Sequence, residues 1–465
     1  MAQEPDRIAE IFNGRTVFIT GGSGFLGQVL IEKFLRSTNV KRLYLLLRTK
    51  KNKTPQERWN AIVENMLFDP LKKQNPTALK KCHIIPGDIC EDNFGISPEN
   101  RLLLQNEVNF IYHSAASIRF DQSLKTAVRV NTKSIKTLLQ FARECKQLLL
   151  LVHVSTSYVF HEEEVLLLGD YPNTYTYSKA LAEKLVVEQM DDLPVIIVRP
   201  SIVCPTWQQP ICGWINNLQN PMGLFVAAGK GILRSAYINV DCKADFVPVD
   251  CVISAIMAST WNYLNHSKQD RFINMTGPSG YIFTWNDIFE TCKRINQTEV
   301  PFNWVIWYPE TFTLKSKIIY KIHLYLFQML PALFIDGILA ILFQKPFFYQ
   351  IQKRLHKGIE VFEKFGTKTW NFSNSTVGKI REKMNIKEME TYKMDGEGFH
   401  LRNYLKNCIL SIRRNNLNEH DDTLPTAKRH LMVMWIIDFI VFKILLVSVF
   451  VFYCYKWIFS PIFEG

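Results

Sequence analysis

The sequence predicts an α/β fold built on a doubly wound parallel sheet, and three observations carry that prediction. Short continuous apolar runs, Thr16–Thr20, Leu43–Leu47, Phe110–Tyr112 and Val195–Val198, recur through residues 1 to about 290. Runs without polar alternation are the mark of strands buried on both faces. Helical patterns separate them, so consecutive strands are joined by crossover helices and lie parallel. The first run ends in a glycine-rich turn, Thr20-Gly21-Gly22-Ser23-Gly24-Phe25-Leu26-Gly27, which opens a helix running to about Leu35. Strand, glycine turn and helix in that order make a Rossmann-type dinucleotide cradle.

Each element then has a physical reason. At Gly21 and Gly24 a side chain would hold the backbone away from a pyrophosphate, and at Gly27 it would push helix from strand. The helix N-terminus offers unbonded N–H groups and the positive end of its dipole to the phosphates. The second strand ends Leu45-Leu46-Leu47-Arg48-Thr49-Lys50-Lys51. An acid there would bind the ribose 2′-hydroxyl of NAD. A cation suits the 2′-phosphate of NADP, with Arg48 the first choice and Lys51 the second. Gly87-Asp88-Ile89 ends the third strand, where Asp88 can accept from the adenine amine. His113-Ser114-Ala115-Ala116 follows the fourth. Ala115 and its small neighbours allow close approach of the cofactor, and His113 reads as packing.

Tyr175 and Lys179 stand four apart in Tyr175-Thr176-Tyr177-Ser178-Lys179, which on a helix puts both on one face. A lysine ammonium can lower the phenol pKa and hold a nicotinamide ribose, while the phenol donates its proton to a carbonyl. A hydroxyl from another strand end should hold the carbonyl oxygen. Val152-His153-Val154-Ser155-Thr156-Ser157 offers Thr156 first and Ser155 next.

These residues resemble the extended short-chain dehydrogenase/reductase superfamily over about residues 14–290. Two segments take their roles from the resemblance alone. Asn131, in Val130-Asn131-Thr132, matches the superfamily's relay asparagine. Arg199-Pro200-Ser201-Ile202-Val203 is similar to its nicotinamide-side strand end, placing Pro200, Ile202 and Val203 beside the cofactor. Asp245-Phe246-Val247-Pro248-Val249-Asp250 matches a further superfamily turn. Leu168 to Ala180, the glycine turn, and the stretch containing Leu330-Pro331-Ala332, Leu355-His356-Lys357-Gly358 and Lys368-Thr369-Trp370-Asn371-Phe372 resemble the eukaryotic, and most closely the insect, fatty acyl-CoA reductases.

That resemblance implies reduction of a long-chain acyl-CoA by NADPH to an aldehyde, with release of CoA, and then to a fatty alcohol. The family's insert between the Ser-Thr strand end and the tyrosine helix is cut here to Tyr158–Leu167, with Thr156 and Tyr175 only 19 positions apart. Two other readings stay open: a membrane-bound steroid or sterol dehydrogenase of the same superfamily, and an NADP-binding scaffold that has lost catalysis with the shortened segment.

The block reading is 1–295 for the reductase domain, 300–415 for a mostly helical C-terminal domain, 416–430 for a polar linker and 431–457 for a transmembrane anchor. The last carries Asp438 and Lys443, which could pair, snorkel or split it into a hairpin. Lys428-Arg429-His430 precedes it and favours a cytosolic catalytic domain, at the endoplasmic reticulum or alternatively the peroxisome. Ile318 to Phe343 is a second apolar stretch, interrupted by Lys321, Gln328, Pro331 and Asp336 and read as helices of the C-terminal domain that touch the bilayer or line the acyl channel, with a second span as the alternative.

The formal charge of +12 without a long basic run speaks for anionic substrates and membrane rather than nucleic acid. Hydrophobic residues at 47% exclude a disordered chain. The 10 cysteines show no C-x-x-C pair and read as reduced thiols without a metal. The N-terminal residues do not read as a secretory signal. Homo-oligomerisation is left open.

Overall fold

The structure, a computed structural model, describes residues 4–119, 122–159, 173–218, 221–277 and 282–463. Its strands are β1 (Thr16–Thr20), β2 (Arg42–Leu47), β3 (Cys82–Pro86), β4 (Phe110–His113), β5 (Leu150–Val154), β6 (Val195–Pro200), β7 (Ile202–Cys204), β8 (Ser235–Tyr237), β9 (Phe246–Pro248), β10 (Phe272–Met275) and β11 (Phe312–Leu314). Seven of them form one sheet in the order β10-β6-β5-β4-β1-β2-β3, every pair parallel. The chain builds outward from β1 to β3, returns to β4 on the other side of β1, and continues to β10. The crossover at β1 and β4 opens the crevice where such sheets bind their ligands.

All five residues of β1 are buried, as expected of a central strand covered on both faces. On one face Phe18, Tyr44, Ile111 and Leu151 pack with Ile135, Leu138 and Phe141. On the other, Phe34 meets Phe12 and Tyr112 edge to face, and the Tyr112 hydroxyl shares a 3.0 Å hydrogen bond with Thr260 on the helix Val249–Asn265.

Two compact units emerge, and they do not follow the consecutive blocks read from the sequence. The first comprises Met1–Asn217, Lys243–Phe283 and Thr369–His400; the second comprises Leu218–Cys242, Thr284–Lys368 and Leu401–Gly465. Residues 369–400 belong to the first because long-range contacts hold them there. Arg7 donates through Nε and Nη2 to the two carboxylate oxygens of the buried Glu388, at 3.0 and 2.7 Å. Lys33 donates to the Thr391 carbonyl at 2.6 Å. In the second unit β8 and β11 pair, and Leu233, Ala236, Tyr320, Leu324, Met329 and Ile359 form its core.

The stretch 416–430 carries more structure than a linker. Glu419 is buried and accepts from Lys230 Nζ at 2.7 Å, Asn303 N at 2.9 Å and the fully buried Arg413 at 3.1 Å. From Leu424 the chain is already helical, and one continuous 40-residue helix runs to Phe463. The hairpin alternative is therefore set aside. Asp438 is engaged by Trp307 Nε1 and lies 3.8 Å from the Arg234 guanidinium, so its countercharge comes from elsewhere in the unit rather than from Lys443. The second apolar stretch is helical as expected, from Lys317 to Ile341.

Candidate active site

The glycine turn sits at the carboxyl end of β1, and its geometry explains its composition. Gly21 has φ +80°, and a Cβ there would lie 2.6 Å from Ala115 N. A Cβ on Gly27 would lie 2.2 Å from the Gly21 carbonyl oxygen. The turn and the Ser114–Ala115 segment after β4 are thus in backbone contact, tied by Ser114 N–H and Oγ donating to the Thr20 carbonyl at 3.2 and 2.9 Å. Gly24 caps the helix Phe25–Ser37 with no side-chain bond, which leaves first-turn N–H groups available to an anion. Phe25 stacks on Trp214 with centroids 5.8 Å apart, while Leu26 is half-buried. Thr20 shares a 2.7 Å hydrogen bond with His113 Nδ1. Burial holds that imidazole neutral, down to about 3.

Beyond β2 a cationic rim lies close to this turn. Arg48 donates to Asp88 at 2.9 Å and is half exposed. Burial would raise the Asp88 carboxyl, but the Cys90 N–H and Arg48 outweigh it and leave it below the usual range. Arg58, which the sequence reading missed, reaches back from the helix Pro55–Val63 and donates to the Arg48 carbonyl at 2.6 Å and to Ser23 Oγ at 3.1 Å. Burial and then the Arg48 charge lower its pKa. Lys50 is lowered in the same way, by burial first and then by Arg48, Arg58 and Lys51. Lys51 itself is exposed, with φ 51°. Ile89 packs against the core beside β3. The only available signal for Arg58 was a cation on the helix after β2, and helices on protein surfaces carry many.

Across the crevice, Tyr175 and Lys179 lie on the helix Thr174–Val187, capped by Asn173, whose side chain accepts from Thr176 N. Burial pushes the Tyr175 phenol up to about 12, opposite to the lowering expected from a neighbouring ammonium. Lys179 explains the difference. Its Nζ donates to the Val154 carbonyl at the end of β5 at 2.5 Å, and burial, opposed by Glu183, brings it down to about 8. Ser155 is buried, with its Oγ unpartnered among the described residues. Thr156 Oγ1 makes only long bonds of 3.4 Å, donating to the Pro200 carbonyl and accepting from Tyr158 N. Of the two hydroxyls, Ser155 is the more available.

Asn131 braces this helix. Its Oδ1 accepts from Ser117 N at 2.8 Å and its Nδ2 donates to Ser178 Oγ at 3.0 Å. Ser178 Oγ in turn donates to the Tyr175 carbonyl at 2.9 Å. Pro200 closes β6 beside Thr156, whereas Ile202 and Val203 lie further on, in β7 against β9. Tyr158 packs edge-on against Trp370 and Phe372. Residues 160–172, most of the shortened insert, lie outside the described residues.

The male sterility protein family matches this chain twice, over residues 19–256 and 327–419. Fatty acyl-CoA reductase 1 of Rattus norvegicus is 33% identical, over 91% of this chain and 89% of its own length. Fatty acyl-CoA reductase wat of Drosophila melanogaster is 32% identical, over 90% and 87%. Among solved structures, the terminal R domain of the myxalamid PKS-NRPS pathway superposes with a TM-score of 0.58 at 18% identity, covering 88% of this chain and 92% of its own. That likeness supports the fold.

Proposed function

The chain belongs to the male sterility protein family that includes the fatty acyl-CoA reductases, and from that premise we propose that it reduces a long-chain acyl-CoA to a fatty alcohol with NADPH. The observation that carries the reading is the pairing, at the carboxyl end of one sheet, of a glycine cradle that side chains would fill with a tyrosine–lysine helix beside the buried hydroxyl of Ser155. The cradle's unbonded N–H groups suit a pyrophosphate. The crowding of Arg48, Arg58 and Lys50, where burial and then the Arg48 charge lower both Arg58 and Lys50, suits a 2′-phosphate, which would relieve that repulsion.

A reduced nicotinamide supplies hydride when bound. Tyr175, kept protonated by burial, donates its proton to the thioester oxygen as charge develops there. Ser155 and Thr156 hold that oxygen with their hydroxyls. Lys179, whose Nζ donates to the Val154 carbonyl, ties the tyrosine helix to the end of β5 and would hold the nicotinamide ribose with its positive charge. The hemithioacetal so formed expels CoA and leaves an aldehyde. Reduction of the aldehyde needs hydride from a second reduced nicotinamide; Tyr175, reprotonated from solvent, would then donate its proton to the aldehyde oxygen to give the alcohol.

The C-terminal helix would hold the enzyme on a membrane, with Lys428-Arg429-His430 on the cytosolic side, at the endoplasmic reticulum. Its acyl-CoA substrate partitions into the same bilayer. Expression in yeast followed by gas chromatography tests the proposal. Long-chain alcohols that disappear in Tyr175→Phe are expected. No alcohol from any acyl-CoA despite NADPH binding would refute it, as would turnover of a 3β-hydroxysteroid instead.

A further inference from the structure

The 25-residue helix Lys317–Ile341 has its polarity reversed relative to a helix on a water-soluble surface. Two of its polar residues, Gln328 and Asp336, face inward. Gln328 is buried; its Nε2 donates to Ser235 Oγ at 2.6 Å and its Oε1 accepts from Arg234 N at 3.1 Å. Asp336 is buried and accepts the N–H groups of Phe347, Phe348 and Tyr349 at 3.0, 2.9 and 2.9 Å, capping the next helix. The outward face carries Ile318, Ile322, Leu326, Leu330, Phe334 and Ile341, each more than half exposed and Ile341 77% exposed. Amphipathic surface helices turn the opposite way, and water-facing apolar patches of this extent mark an interaction surface.

We infer that this helix is a second membrane contact, lying in the plane of the bilayer with its outward face in the acyl region. It rests on the membrane attachment proposed above but adds a distinct element to it. Three observations select lipid as the occupant. Aliphatic and aromatic residues are exposed along the whole length of about 37 Å, and the exposed Lys317, Lys321 and Lys345 are available to headgroups. The inward face is packed from Tyr320 to Asp336. A spanning orientation would drag the polar groups packed there through hydrocarbon, where each is costly, so the helix lies flat. Finally, Arg234 joins this helix to the C-terminal one: its backbone N–H binds Gln328, and its guanidinium faces Asp438. The two apolar elements therefore leave the unit at one place.

Depth-dependent quenching on the full chain tests this. Single cysteines at Ile322, Phe334 and Ile341, and separately at Val447 in the C-terminal helix, are introduced with the exposed Cys212 replaced by serine. Each is labelled with an environment-sensitive fluorophore, and the protein is reconstituted in phosphatidylcholine vesicles carrying quenchers near the headgroup or near the bilayer centre. Equal, several-fold stronger quenching by the shallow probe at Ile322, Phe334 and Ile341 is expected. Quenching of Val447 alone would overturn the inference while leaving the anchor. Quenching of the three without Val447 would sustain the inference and remove the anchor. Depth that changes steadily from Ile322 to Ile341 would mean a span and refute the flat placement.

Discussion

Replacing Arg48 with alanine should separate the two nicotinamide cofactors. Arg48 contributes little to the fold. Its side chain is 51% exposed and pairs with Asp88 at 2.9 Å, an exposed pair worth about 0–1 kcal/mol. Toward a 2′-phosphate the same guanidinium would make a charge-assisted hydrogen bond of about 1.5–3 kcal/mol, which converts to roughly 10–150-fold in Kd. Asp88, deprived of its cation, adds repulsion in the same direction. NADH has no phosphate at that position, so its Kd should hardly move. Isothermal titration of both cofactors on one preparation reads the ratio directly, and a thermal scan confirms that the fold is intact. Equal weakening of NADPH and NADH, or no weakening of either, would refute the assignment. With Arg58→Met added, the two losses should fail to sum by about 0.5–3 kcal/mol, because both cations would serve one phosphate.

Four further outcomes are expected. Tyr175→Phe should lower alcohol formation by about 100-fold or more, the scale of a lost general acid, with NADPH affinity retained; product analysis and cofactor titration together decide it. Gly27→Ala places a Cβ 2.2 Å from the Gly21 carbonyl and should abolish cofactor binding, measured by quenching of tryptophan emission; retained affinity would show that helix and turn can part. The pH profile of kcat/KM for NADPH should fall as pH rises through about 8, where Lys179 loses its charge. Tyr175, held up to about 12, stays protonated throughout that window, and a flat alkaline limb would remove Lys179 from cofactor binding. Glu419→Gln leaves the buried Arg413 without its countercharge and should destabilise the second unit by about 3–5 kcal/mol, read as a drop in the urea midpoint; a change below about 1 kcal/mol would show that Arg413 is satisfied by carbonyls alone.

The sheet was legible because its signal is local. A strand stretch such as Phe110–Tyr112 is buried on both faces and is apolar throughout, and the glycines at 21 and 27 are dictated by contacts within a few residues or with the adjoining strand end. The Tyr175–Lys179 spacing was legible for the same reason. Partners distant in sequence were not. Nothing near Arg7 announces Glu388, 381 residues away, and nothing in 431–457 points to Trp307 or Arg234 as the neighbours of Asp438. Arg58 was hidden by ordinariness, since an arginine on an exposed helix is solvated far more often than it is aimed at a loop. The phenol's upward shift was missed because spacing gives proximity along a helix but not the direction of a flexible side chain, and Lys179 turns toward Val154.

The interleaving of the two units bears on how this gene can change. The polypeptide passes from one unit to the other at 217, 242, 283, 368 and 400. A truncation after the last sheet strand would therefore remove Glu388 from beneath Arg7 and Trp370 from beside Tyr158. Neither half can be exchanged by a single recombination event, and a fragment made to isolate the nucleotide-binding portion would be missing pieces of its own interior. Selection on either portion thus acts on most of the coding length, because residues 369–400, encoded late, complete the unit that the N-terminal residues begin.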